Sequence, residues 1–208
     1  MSGSAQLSTA AKLRFLSQPG AYPHGPASVE VRETHMSWVF LAGTRVFKLK
    51  KPVRSAVLDF STPGRRAAMV GDEVRLNRRL APDVYLGARA LRLGPDGAPT
   101  LGPEGAPVDW LVQMRRLPED RMLDRIAAAG GPAPGDLDRL GATLATFYRA
   151  LPPEEIDPRA HLDRLRAEHA RTAEALTDPA LGLDSGEAAP ALAAFERALE
   201  AAAPALEA

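Results

Sequence analysis

The 208-residue chain contains no cysteine, which excludes disulfides, thiolate nucleophiles and zinc–thiolate centres together. Its four histidines (His24, His35, His161, His169) show no metal-ligand spacing, so no metal site is expected. An excess of either charge is also missing, with 26 basic and 26 acidic residues, so no global field draws the chain to nucleic acid or to an anionic membrane. Aromatic residues are few, at two tryptophans, three tyrosines and six phenylalanines, which argues against a basic face interleaved with aromatics despite Arg75, Arg78 and Arg79 on one segment. Neither the first 20 residues nor any later window holds the apolar run of a signal peptide or of a membrane span of ~18 residues. A cytoplasmic protein with no nucleic-acid or membrane partner is the expectation.

What is present is a large apolar share, 45% of residues, enough to bury a core. Residues 11–16 read as a short helix that Pro19 and Gly20 end. Strand signals follow at residues 29–34, 38–41 and 46–50, with Gly43-Thr44 as a tight turn between the second and third. Ser61-Thr-Pro63 marks a helix start, and the helical pattern runs to Leu80. Residues 84–93 and 108–114 read as two more strands, joined by a Gly/Pro-rich hairpin loop. Beyond Pro118 the composition turns to alanine-rich amphipathic helices: one from Asp136 carrying Leu137, Leu140, Leu144, Phe147 and Leu151, one after Asp157-Pro158, and a last one from Ser185. The order β-β-β-α-β-β followed by helices predicts an α+β protein with a five-stranded antiparallel lobe, residues 1–117, and a helical lobe, residues 118–208.

Lysine is the scarce residue that carries information. Arginine occurs 22 times and lysine four times, yet three of the four are Lys48, Lys50 and Lys51. A compact ammonium on a flexible stem suits phosphate oxygens reached from a strand, and Val46-Phe-Lys48 has the apolar-apolar-Lys form of the third strand of kinases. On the following helix Glu73 has Met69, Val70, Leu76 and Asn77 as its helical neighbours and no local cation, whereas Asp72 has Arg75 three residues on. A carboxylate so placed needs a long-range partner, and Lys48 is the candidate. Lys50 shares Lys48's strand face by the period of two and remains the alternative; both would equally suit a solvated or edge-protecting face.

Residues 33–41 (ETHMSWVFL), 45–53 (RVFKLKKPV), 58–61 (LDFS), 73–87 (EVRLNRRLAPDVYLG) and 108–118 (VDWLVQMRRLP) resemble a bacterial group of aminoglycoside-phosphotransferase-like proteins with a protein-kinase-like fold, whose members often carry a downstream P-loop ATP-binding domain. The likeness covers most of residues 15–120. It implies an ATP-dependent phosphotransferase with Mg²⁺, acting on a small-molecule hydroxyl. In that role Lys48 would hold the nucleotide phosphates, Glu73 would orient Lys48, and the main chain of Met114, Arg115, Arg116 and Leu117 would form the hinge that bonds the adenine. Ser37, in the turn His35-Met36-Ser37, would approach the phosphates in place of a glycine-rich loop.

The catalytic loop of that family, His-Gly-Asp, is not found, so the chain is expected to stop short of it and to be inactive by itself, with no catalytic residue assigned. A non-catalytic kinase-like binding or regulatory module is the alternative. His161-Leu-Asp163, Glu168 and Asp184-Ser-Gly186 imitate the catalytic and metal loops, but residues 159–176 carry helical periodicity where an irregular loop is needed.

Overall fold

The computed structural model describes residues 7–55, 58–153, 155–182 and 185–206. The protein is α+β. Its antiparallel sheet is built from β1 (Val29–Glu33), β2 (Ser37–Ala42), β3 (Arg45–Lys50), β4 (Tyr85–Leu93), β5 (Pro99–Thr100) and β6 (Ala106–Arg115), in the order β1-β2-β3-β6-β4-β5. The five expected strands are present. The sixth, β5, is a two-residue piece inside the Gly/Pro-rich loop, paired with the end of β4. Gly43 turns the β2–β3 hairpin with φ of +60°, and a side chain at Gly105 would put its Cβ 1.9 Å from the Leu93 carbonyl oxygen.

The helices are α1 (Thr9–Leu16), α2 (Pro63–Asn77), α3 (Leu123–Ala128), α4 (Asp136–Arg149), α5 (Pro158–Leu176) and α6 (Ser185–Leu206). Among the described residues none is long and apolar enough to cross a membrane. The chain divides into two compact units, Met1–Leu144 and Ala145–Ala208. The division falls within α4, later than the end of the sheet, where the composition changes.

In the first unit each face of the sheet takes one helix. Leu16 of α1 joins Tyr22, Phe40, Phe47, Leu49, Leu91 and Leu111 in the larger core. On the other face Val70 and Val74 of α2 pack on Val112, flanked by Tyr85, Trp110 and Met114. Thr62 caps α2 by accepting from the Arg65 N–H, and Pro63 supplies the first turn, where a missing N–H costs nothing. The helix ends at Asn77, three residues before Leu80. There the ladder slackens into turn bonds, Arg79 to Leu76 and Leu80 to Asn77, while Arg78 leaves to donate to the carbonyl oxygens of Tyr85 and Leu86 on β4.

Both helices also reach one buried carboxylate. Asp109 lies on β6 two residues beyond the last pairing with β3, Leu49 with Leu111, so no β3 residue stands opposite it. Arg66 of α2 grips it with a two-pronged fork, Nε to Oδ1 and Nη2 to Oδ2, both 2.8 Å. Lys12 of α1 donates to Oδ2 at 2.7 Å, and the Trp110 N–H donates to Oδ1 at 2.9 Å. All three charged groups are buried.

In the second unit Leu162 and Leu165 of α5 pack on Leu199 and Ala203 of α6, and Arg166 bridges to Glu200 with two 2.9 Å bonds. Asp157 caps α5 through the Arg159 N–H, as its position before a proline predicts. By contrast α4 has no buried residue, and Leu137, Leu140 and Tyr148 are exposed.

Removing one partner of a buried ion network leaves the other charges unpaired in a poor solvent. Asp109→Ala is therefore expected to lower the unfolding free energy by about 3–5 kcal/mol in urea titrations. Arg166→Ala, which breaks a solvent-exposed pair, should cost far less. A loss for Asp109→Ala as small as that for Arg166→Ala would show that the network does not hold the helices.

Candidate functional site

The alternation of β3 sends Phe47 and Leu49 into the α1-side core and leaves Lys48 and Lys50 on the face that α2 covers. On α2 the residues one turn apart, Val70, Glu73 and Val74, share the inward stripe. The period of the strand and the period of the helix thus bring Glu73 over both lysines. Lys48 Nζ is hydrogen-bonded to Glu73 Oε1, and Lys50 Nζ lies 2.6 Å from Oε2. Each carboxylate oxygen serves one ammonium, so Lys48 and Lys50 share Glu73. The Lys48 side chain is 24% exposed and that of Lys50 12%. Lys50 is further covered by Phe60, whose ring centroid lies 5.4 Å from Nζ. Lys48 is the more open of the two.

Burial works to raise the Glu73 carboxyl, but the hydrogen bonds and charges of Lys48 and Lys50 together outweigh it and hold the group below its ordinary value. Asp72, one residue earlier, points elsewhere and pairs with Arg75 at 3.0 Å, as its spacing predicts. Lys51 turns away as well, to Glu33 at 2.5 Å, with its ammonium 5.3 Å from the centre of the Trp38 ring.

Ser37 stands directly opposite Lys50 in the β2–β3 register, so by alternation its side chain belongs to the face of the two lysines. Its N–H is already spent on Thr34 Oγ1 at 3.1 Å, and its carbonyl accepts from both the N–H and the hydroxyl of Thr34. Only its hydroxyl is left to meet a ligand. The Met36 carbonyl is likewise taken, by the Lys51 N–H at 2.9 Å.

At the other end of the sheet, Met114 pairs with Val46 and Arg115 with Arg45. The Arg115 N–H donates to Val84 and the Arg116 N–H to Thr44, both at 2.8 Å. Leu117 comes next, before Pro118, and neither its N–H nor its carbonyl has a hydrogen-bond partner among the described residues. The expected hinge is therefore an end of strand followed by one residue with an open backbone and a 3₁₀ turn at Glu119–Arg121. The side chain of Arg116 does not point to a free site: it reaches Glu30 at 3.5 Å and Glu119 at 3.4 Å, and Arg32 of β1 also holds Glu119, at 2.5 Å. Arg115 Nε donates to the Asp83 carbonyl at 3.3 Å.

The motif that imitates a catalytic loop is helical. His161, Asp163 and Glu168 all lie in α5, and Asp163 is 3.5 Å from Arg166; Asp184 lies outside the described residues. Among the described residues no three His, Asp or Glu side chains stand close enough to hold a metal ion. Sequence reasoning missed the Lys12–Asp109–Arg66 network. The available signal was slight: Lys12 is the one lysine outside the cluster, and Asp109 interrupts an apolar strand.

A carboxyl held low in the folded state adds stability that is complete above its unfolded value and fades as the pH falls through its folded one. Wild-type protein is accordingly expected to exceed Glu73→Gln in unfolding free energy above pH 4.5, the ordinary value for the group, with the margin shrinking as the pH is lowered beneath it. Chemical denaturation at a series of pH values measures the margin. A margin that does not change with pH would mean that the ion pairs contribute nothing to it.

Comparison with known proteins finds relatives of part of this chain. Uncharacterized protein Mb2027c of Mycobacterium bovis and uncharacterized protein Rv2004c of Mycobacterium tuberculosis are each 40% identical to it over 121 residues, 58% of this chain. The chain spans about a fifth of the length of these curated relatives, 22% of each. No family model matches the chain, and no solved structure matches it.

Proposed function

We propose that the sheet-bearing unit is the nucleotide-binding part of an ATP-dependent phosphotransferase of protein-kinase-like fold, working in the cytoplasm on a small-molecule hydroxyl. The observation that carries this reading is the ion pair between Lys48 on the third strand and Glu73 on the helix that follows it. In protein kinases a lysine of that strand and a glutamate of that helix must be paired for the nucleotide phosphates to be held. The open backbone of Leu117, directly after the last long strand, supports the same reading by offering a donor and an acceptor to a base edge.

Lys48 would place its charge against phosphate oxygens, and Glu73 would keep that ammonium from folding back onto the strand. Holding both lysines on one carboxylate has a second effect. The site keeps a surplus positive charge before any ligand arrives, so binding a polyanion needs no rearrangement of the lysines. The hydroxyl of Ser37 faces the same side and adds a neutral donor. Mg²⁺, which the family resemblance implies, would supply further neutralisation of the triphosphate; the described residues offer no cluster to hold it. The chemistry proposed for these residues is therefore binding and orientation. Accepting the hydroxyl proton is left to groups outside them.

Calorimetric titration with ATP tests the assignment. A charged hydrogen bond is worth about 1.5–3 kcal/mol, so Lys48→Met is expected to weaken binding by roughly tenfold to a hundredfold. Unchanged affinity in Lys48→Met, or the absence of any nucleotide binding by folded wild-type protein, would overturn it.

A further inference from the structure

A second charged place in the same unit is unexplained by that reading. Between the start of α1 and the beginning of α2 lies a cavity of about 370 Å³, lined by Ser8, Thr9, Lys12, Lys50, Arg66 and Asp109 among others. Its charges do not balance. Lys12 and Arg66 are both more than nine-tenths buried and share the single carboxylate of Asp109.

Asp109 has no capacity left, because its two oxygens already accept from Arg66 twice, from Lys12 and from the Trp110 N–H. Arg66 is nearly saturated too, since it also donates to the carbonyls of Phe60 and Ser61. Lys12 is different. Among the described residues its ammonium makes one hydrogen bond, to Asp109, which leaves two N–H donors. Lys50, another lining residue, shares Glu73 with Lys48. Three cations, Lys12, Lys50 and Arg66, thus line the cavity, and with Asp109 and the Glu73 carboxylate that holds Lys50 counted against them positive charge remains in excess.

Neutral donors converge on the same space. The hydroxyl and N–H of Thr9, a lining residue, have no acceptor among the described residues, and they stand at the positive end of α1. The six residues that precede Leu7 in the sequence include no acid that might supply the missing negative charge. A buried ammonium with spare donors beside a lined cavity calls for an anion, and a phosphate group, with several strong acceptor oxygens, meets clustered donors of this kind.

We propose that this cavity binds the phosphate group of a small phosphate monoester or inorganic phosphate, with Lys12 as its principal ligand and Thr9 and Lys50 beside it. The site shares Lys50 with the nucleotide reading, but its principal ligand, Lys12, takes no part in that reading, so the two are tested separately. Occupancy would neutralise the buried surplus and so couple ligand binding to the docking of both helices on Asp109.

The test is calorimetric titration of the 208-residue protein with inorganic phosphate, glycerol 2-phosphate and succinate, at constant ionic strength in chloride. Wild type is expected to bind at least one phosphate compound and not succinate. Lys12→Met is expected to bind at least tenfold more weakly while remaining folded by circular dichroism. Thr9→Val should weaken binding as well and decides the matter should Lys12→Met fail to fold. Tighter binding of the monoester identifies an organic phosphate as the ligand class, and binding of inorganic phosphate alone identifies the free ion. The proposal is overturned by no binding of either phosphate, by equal binding of succinate, by unchanged affinity in folded Lys12→Met, or by binding that Lys48→Met removes and Lys12→Met does not.

Discussion

Asp109 is the point on which the architecture of the sheet-bearing unit turns. A single carboxylate placed past the end of one strand accepts a bond from a helix on each face of the sheet, so α1 and α2 are registered to the same atom pair rather than to each other. Apolar packing alone would not do this. Val70 and Val74 on Val112 make a greasy contact that tolerates sliding, whereas a two-pronged arginine fork has one geometry. Once Arg66 is seated, the rest of α2 has its rotation set, and Glu73 two turns later must come down over β3.

That dependence explains why the two charged sites of the unit share a helix but differ in character. At Arg66 the carboxylate comes from the sheet and the cation from the helix; at Glu73 the polarity is reversed. In the first the carboxylate is buried and fully bonded, which suits a fastening. The second leaves Lys48 partly open, which suits a group that must meet something else. In both, cations outnumber the carboxylate that holds them, and in a chain of zero net charge that local surplus is a property of placement, not of composition.

Much of this was legible in the sequence, for reasons of range. Strand and helix periods are local, and the strands at 29–34, 38–41 and 46–50 and the helix from Thr62 all stand close to where their patterns place them. Glu73 was legible because a negative fact, no cation within a helical turn, forces a long-range partner, and lysine scarcity left few candidates. The kinase-like reading proposed above rests on resemblance and on this pair. The Lys12–Asp109 pair spans 97 residues and the Arg66–Asp109 pair 43, with no local pattern announcing either. The end of α2 was misread for a related reason: the helical pattern continues to Leu80, but Arg78 finds better acceptors in the carbonyls of β4, a competitor that local periodicity cannot reveal.

The balance of charge around Asp109 also bears on how the two sites are connected. Lys50 belongs to both, held by Glu73 at one side and facing the cavity near Lys12 at the other. An anion that drew the Lys50 ammonium toward the cavity would leave Glu73 to Lys48 alone and tighten that pair. An anion at Lys48 would do the reverse and return Glu73 to Lys50. Linkage requires that any such influence be reciprocal, so the two occupancies either help or hinder each other by the same factor. The physical basis is one carboxylate and two ammonium groups on a strand face where each shift has a single available partner.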